Sequence, residues 1–178
     1  MSLHRETALA SAIVGSLLSP VWAHDFGRPA TPEEIELWDI DVRPDGQGRP
    51  EGSGTGAHGK EVYQQNCEAC HGPNGEGGLF DRLAGGQGTL ASDKPVKTVG
   101  SYWPYATTLF DYIRRAMPYP TPGSLGANDT YAVTAYILSL NGILSADGKL
   151  DQQTLPKIKM PNQDGFIPDP VFKLDNER

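Results

Sequence analysis

A small all-α fold, three to four short helices set between long irregular N- and C-terminal extensions, is what this sequence predicts. Three observations carry the prediction. Apolar residues recur at three- and four-residue spacings in separate stretches of the middle of the chain, the period of helices with one buried face. Glycine and proline are abundant, 21 and 15 of 178 residues, so much of the remainder is turn and loop. The only two cysteines stand in Cys67-Glu68-Ala69-Cys70-His71, a spacing that attaches a prosthetic group able to supply part of a small core.

In chain order, residues 1–23 read as a cleaved secretory leader. Arg5 precedes an apolar stretch from Ala8 to Leu18, and the small residues Val21 and Ala23 fit a signal-peptidase site, with cleavage after Ala23. The apolar stretch is too short to span a bilayer, so the mature chain is expected to be periplasmic and to keep no membrane span. Residues 24–57 form an N-terminal extension. Within it, Thr31-Pro32-Glu33-Glu34 matches a capping box with proline at the first helical position, which predicts a short helical turn. Trp38-Asp39-Ile40-Asp41-Val42 alternates apolar and acidic residues, as an extended segment with one buried face does. Residues 44–56, rich in glycine and proline, read as linker or loop.

Residues 58–142 form the helical domain. The first helix covers Gly59 to Asn66, with Val62 and Tyr63 inward and Gly59 on the same side, where a missing side chain lets another helix approach closely. Gly72 to Gly78 is turn chemistry throughout. A second helix runs from Thr107 to Ala116, with Leu109, Tyr112, Ile113 and Ala116 along one face, and Pro118 and Pro120 end it. The third starts after Asn128 or Asp129 as cap, runs from Thr130 to Leu140, and stops at Asn141-Gly142. Tyr131, Ala135 and Leu138 form one core stripe of this helix, and Ala132, Tyr136 and Leu140 its neighbour. Residues 143–178 are an irregular C-terminal extension with scattered apolar residues from Ile143 to Phe172. The two extensions either fold back over the helical domain or clasp a partner.

The run Cys67-x-x-Cys70-His71 is the attachment signature of a c-type haem: Cys67 and Cys70 tether the porphyrin, and His71 is the proximal iron ligand. Two other readings exist. A redox dithiol wants a βαβ context and has no use for the following histidine. A structural zinc site needs four protein ligands, which a chain with two cysteines and four histidines, one in the leader, supplies poorly. An electron carrier needs a sixth iron ligand, and a soft, neutral thioether favours the ferrous state. Beyond Met1 only Met117 and Met160 remain; Met117, in the rigid Met117-Pro118-Tyr119-Pro120 between the second and third helices, is the candidate, and Met160 reads as core packing. Tyr102 and Trp103 are candidate haem contacts through phenol and indole donors. Arg82, Arg114 and Arg115 read by default as solvated.

A net charge of −7 argues against nucleic acid and against anionic membrane surfaces. It leaves a protein partner open, since that needs only a local complementary patch.

These residues carry a resemblance. A helix with Gly59 and Tyr63 entering Cys67-x-x-Cys70-His71-Gly72, a Met117-Pro118 loop and a closing helix with Tyr136 resemble a class I cytochrome c. The resemblance implies crossed first and last helices around one covalently bound haem c, with His71 and Met117 in the axial positions. Gly27-Arg28-Pro29-Ala30-Thr31-Pro32-Glu33-Glu34, Trp38 to Gly46, Thr98 to Thr108 and Leu155-Pro156-Lys157 further resemble the monohaem cytochrome subunits of the periplasmic sulfur-oxidising (Sox) system. That likeness implies a molybdenum-cofactor dehydrogenase subunit as partner, acting on sulfane or sulfite, and a downstream cytochrome or oxidase as acceptor. Some family members carry two haem domains, whereas this chain has one motif. Two alternatives stay open: a freestanding soluble respiratory carrier, and a haem enzyme with peroxidase-like or thiol-oxidising activity. The second needs distal acid–base residues, for which His58 is the only spare histidine near the haem segment.

Overall fold

The structure, a computed structural model, describes residues 27–167. The leader and its cleavage point after Ala23 lie outside the described residues, as do Val171 and Phe172. The chain divides into two units, Met1–Trp38 and Asp39–Arg178.

The first unit holds helix α1, Pro32–Trp38. Its start is the expected capping box: the Thr31 N–H donates to Glu34 Oε2 at 2.9 Å and the Glu34 N–H donates to Thr31 Oγ1 at 3.3 Å. Arg28 adds an ion pair with Glu34. Ile35, Leu37 and Trp38 of this helix are exposed.

The second unit runs β1 (Ser53–Thr55), α2 (Gly56–Asn66), α3 (Glu68–His71), α4 (Ala106–Ala116), α5 (Ala127–Leu140), β2 (Lys149–Asp151) and a 3-10 turn at Leu155–Lys157. The small ladder is an addition to the predicted helices. β1 pairs antiparallel with β2 in the register Ser53↔Asp151, Gly54↔Leu150, Thr55↔Lys149. Three-residue strands are too short to leave a periodic signal in sequence.

Helix α5 is the centre of the core, and every residue from Thr130 to Leu138 is buried. The expected stripes are inside as far as Leu138, with Leu140 partly buried, and so are the residues between them. Thr130 and Thr134 tolerate burial because their hydroxyls donate to the carbonyls of Gly126 and Thr130, one turn back, at 2.9 and 2.7 Å. Helix α2 crosses α5 at Gly59, where a Cβ would lie 1.9 Å from the Ala132 carbonyl oxygen. Gly54 of β1 approaches the same residue, with a Cβ position 2.3 Å from the Ala132 nitrogen. Tyr63 and Tyr136 pack beside the crossing with ring centroids 5.2 Å apart.

The helix ends refine the sequence reading. Thr55 caps α2, accepting from the His58 N–H at 3.3 Å, so the helix starts three residues before Gly59. Asn128 and Asp129 do not cap α5, which begins at Ala127 behind Gly126. Their side chains are engaged elsewhere: Asn128 Oδ1 accepts the Ser53 N–H at 2.9 Å, and Asp129 Oδ1 meets His58 Nε2 at 2.8 Å. At the other end Gly142 takes φ +67, and the N–H groups of Gly142 and Ile143 donate to Ser139 and Leu138, a Schellman stop. In α4, Leu109 and Ile113 are buried as expected, but Tyr112 is 48% exposed, while Thr107, Phe110 and Asp111 on other faces are buried.

Among the described residues, both extensions fold onto the helices from Asp39 to Met160. Leu150, Leu155 and Met160 are fully buried, each contributing about 1.5–3 kcal/mol of hydrophobic stabilisation. The segment 44–52 is packed loop and not free linker: Arg49 Nε donates to the Gln152 carbonyl at 2.6 Å and Thr107 Oγ1 donates to the Pro44 carbonyl at 3.0 Å. The alternating segment before it has one buried side chain, Val42, with Ile40 44% exposed and Trp38 ending α1. Val42 pairs its N–H with the Asp111 carboxylate and not with a sheet neighbour, so no two-faced strand forms. Among the described residues no helix is long and apolar enough to cross a membrane.

Candidate functional site

Helix α2 delivers the cysteine motif. Cys67 closes α2 and opens the single turn α3: its N–H donates to the Tyr63 carbonyl at 2.8 Å, and its own carbonyl accepts from Cys70 and His71 at 3.1 and 2.9 Å. This turn places Cys67 and Cys70 on one side. Both thiols are free and half-buried. Burial, then the neighbouring Cys70, push the Cys67 thiol up to about 11, so it stays protonated at neutral pH.

The chain after the motif folds back under it. Gly72 leaves α3 at φ +82, and the buried Tyr63 hydroxyl donates to the Gly72 carbonyl at 2.7 Å, tying α2 to the turn. Burial raises the Tyr63 phenol far above its ordinary range. His71 Nδ1 lies 2.7 Å from the Asp81 carbonyl oxygen. A carbonyl only accepts, so Nδ1 carries a proton, and in the neutral ring it is Nε2 that offers the lone pair.

A cavity of about 440 Å³ opens beside this turn, a size typical of cofactor sites. Cys67, Cys70 and His71 form one part of its wall; Leu109, Tyr112, Ile113 and Met117 come from α4 and its C-cap. Trp103 also lines it, with its ring edge-on to Tyr112 at 5.8 Å. Thus Cys67, Cys70, His71, Trp103 and Met117 come together around one space.

Tyr102 does not join them. Its ring stacks edge-on against Phe166 at 5.3 Å beneath the Lys97 ammonium, on a separate cavity, because consecutive residues of the Thr98–Trp103 turn point to different sides. Met160 is 1% exposed within the apolar core. His58 bridges Asp129 and Glu61 at the surface. Arg82 lines the cavity, but Arg114 and Arg115 are held by Ile40 and Asp111, so they are not simply solvated. Lys97, Phe80 and Tyr119 also line the cavity; Phe80 and Tyr119, rings 6.1 Å apart, lie in turns with no periodicity in sequence to flag them.

The donor set fits an iron porphyrin. Two thiols one turn apart suit thioether attachment, an imidazole with a free Nε2 suits iron, and a thioether shares the same apolar wall. Among the described residues no group of three or more His, Cys, Asp or Glu side chains is placed to hold a metal ion.

Comparison with known proteins agrees with this chemistry. The cytochrome c family model matches residues 56–141. The chain belongs to the cytochrome c family: it is an electron-transfer haem protein of the class I fold, with extensions, carrying covalently bound haem c. Among solved structures it is similar to a chain of the sulfane dehydrogenase SoxCD from Paracoccus pantotrophus, at 45% identity and a TM-score of 0.77, over 83% of this chain and 73% of that chain. No match is found among curated proteins.

Proposed function

We propose that this chain is the periplasmic haem subunit of a molybdenum-containing dehydrogenase for sulfane or sulfite sulfur, taking electrons singly from its partner and passing them to a downstream cytochrome or oxidase. The observation that carries this reading is the reach of the similarity to sulfane dehydrogenase SoxCD. At 83% of the chain it extends well past the family domain at 56–141 and into the extensions, which the cytochrome c family model does not match.

When bound, the haem supplies a reversible one-electron centre. Cys67 and Cys70 would hold it covalently, and His71 Nε2 would bind the iron, its basicity strengthened by the Nδ1–H hydrogen bond to the Asp81 carbonyl. Met117, on the same cavity wall, would supply a second iron ligand, a neutral sulfur that favours the reduced state. Trp103 and Tyr112 form part of the cavity wall. The leader at residues 1–23 accounts for delivery to the compartment where such attachment occurs.

Purification of the tagged full chain from its own periplasm tests this. A molybdenum protein is expected to co-purify and to be lost on deletion of residues 24–50. A haem-loaded monomer eluting alone at low concentration contradicts the subunit reading and favours a freestanding carrier. Met117→Leu is expected to remove the methionine–iron absorption signature and lower the potential; an unchanged spectrum contradicts the axial role.

A further inference from the structure

The face of α4 opposite the cavity is stitched to the N-terminal extension. Arg114 Nη1 donates to the Ile40 carbonyl at 2.7 Å, the Val42 N–H donates to Asp111 Oδ1 at 2.8 Å, and Thr107 Oγ1 donates to the Pro44 carbonyl at 3.0 Å. Arg115 completes the set, its Nε donating to Asp111 Oδ1 at 2.8 Å and its Nη2 bonding Oδ2. Asp111 and Thr107 are buried, 8% and 1% exposed, and the Val42 side chain is buried with them. At about 100° per residue, Thr107, Asp111 and Arg114 fall roughly half a turn of the helix away from Leu109, Tyr112 and Ile113. One face of α4 therefore meets the cavity and the other meets residues 40–44.

Those residues form a stiff element. The Arg43 N–H donates to the Gln47 carbonyl at 3.0 Å and the Gly46 N–H to the Arg43 carbonyl at 2.8 Å, and a Cβ at Gly48 would lie 2.1 Å from the Asp41 carbonyl oxygen. They also precede the family-matched segment, which begins at residue 56. Met117 is the C-cap of α4, its N–H bonded to the Ile113 carbonyl at 3.1 Å, so its backbone moves with the helix. A short helix turns or slides as a rigid body, and whatever fixes its rear face fixes where its end points.

We propose that residues 40–44 brace α4 from behind and hold Met117 toward the cavity, with Asp111 as the positioning residue. The proposal rests on Met117 being the axial sulfur. It makes the extension, and not only the family domain, a determinant of how firmly the sixth position is kept.

The test follows two signals during denaturant titration of the oxidised holoprotein: the methionine–iron absorption band, and far-UV circular dichroism of the helices. In Asp111→Ala the band should be lost at lower denaturant than the helical signal, with roughly tenfold more of the methionine-detached form at a fixed subdenaturing concentration. Arg114→Gln removes the Ile40 bond without touching a buried side chain and should act in the same direction, which keeps the test available if Asp111→Ala does not fold. Asp111→Asn, which retains an acceptor for Val42, should recover part of the effect. Band and helix midpoints that shift together, or do not shift, overturn the brace. A band that survives in Met117→Leu instead overturns the axial assignment on which the brace depends.

Discussion

Gly59→Ala is the most telling single perturbation of the fold, because it asks whether α2 and α5 touch backbone to backbone. The added Cβ would lie 1.9 Å from the Ala132 carbonyl oxygen, 2.4 Å from its carbon and 2.9 Å from Tyr136 Cβ. Ordinary contact needs about 3.5 Å or more, so the helices must part by roughly 1.5 Å. The obstacle is main chain and cannot swing aside. Overpacking of this kind costs about 1–3 kcal/mol or more, against about 1 kcal/mol that alanine gains over glycine in a helix interior. With rigid backbone as the neighbour the cost falls at the upper end of that range, so we expect a net loss of about 2 kcal/mol, which for a domain of this size lowers the melting temperature by about 4–8 °C. Thermal unfolding of the holoprotein, followed by haem absorbance and far-UV circular dichroism, measures it. Lys60→Ala, an exposed neighbour on the same helix, should stay within about 0.5 kcal/mol of the parent. A Gly59→Ala protein as stable as the Lys60→Ala control would refute the close crossing.

Further outcomes follow from the hydrogen bonds and charges. Tyr63→Phe removes the buried donor to the Gly72 carbonyl and should cost about 1–2 kcal/mol in guanidinium unfolding, with no loss of covalent haem. The Asp129 carboxylate and then Glu61 raise the His58 imidazole above its ordinary 6.5. Its stabilisation is therefore complete below pH 6.5 and is lost as pH rises through the higher folded-state value. The trio is exposed, so the gain is under about 1 kcal/mol, and His58→Gln should flatten melting temperature against pH across the neutral range. Burial by itself would raise the Asp111 carboxyl, but Arg115 and the Val42 N–H outweigh it and the net shift is downward from 3.8. That stabilisation is present above pH 3.8 and is lost as pH falls through the folded-state value, so Asp111→Asn should blunt acid unfolding below about pH 4.

The helices and their stops were legible because several local signals agreed at each one. Gly142 after Leu140, Pro118 after Ala116, and Thr31 with Glu34 each report a backbone group that must be satisfied within a few residues. Gly59 was legible as a close approach because it shares a face with Val62 and Tyr63. What sequence could not reveal was long-range partnership. Asn128 and Asp129 have cap chemistry but face Ser53 and His58, both more than seventy residues earlier. Arg114 and Arg115 look like an ordinary solvated helix surface until the Ile40 carbonyl and the Asp111 carboxylate are found holding them. Tyr112 reads as core from its spacing and Tyr102 as a haem contact from its phenol donor in an aromatic cluster; the turn at Thr98 to Trp103 sends Tyr102 toward Phe166, and Tyr112 faces the cavity instead. Cys67, Cys70 and His71 needed no tertiary information, since their spacing is itself the chemistry.

The most direct test is the intact mass and spectrum of the mature chain purified from a cell that assembles c-type cytochromes. The leaderless polypeptide should carry the mass of one haem, keep its colour through denaturation and acid extraction, and lose both in a Cys67→Ser, Cys70→Ser variant. A colourless chain with the bare polypeptide mass would contradict the account at its root.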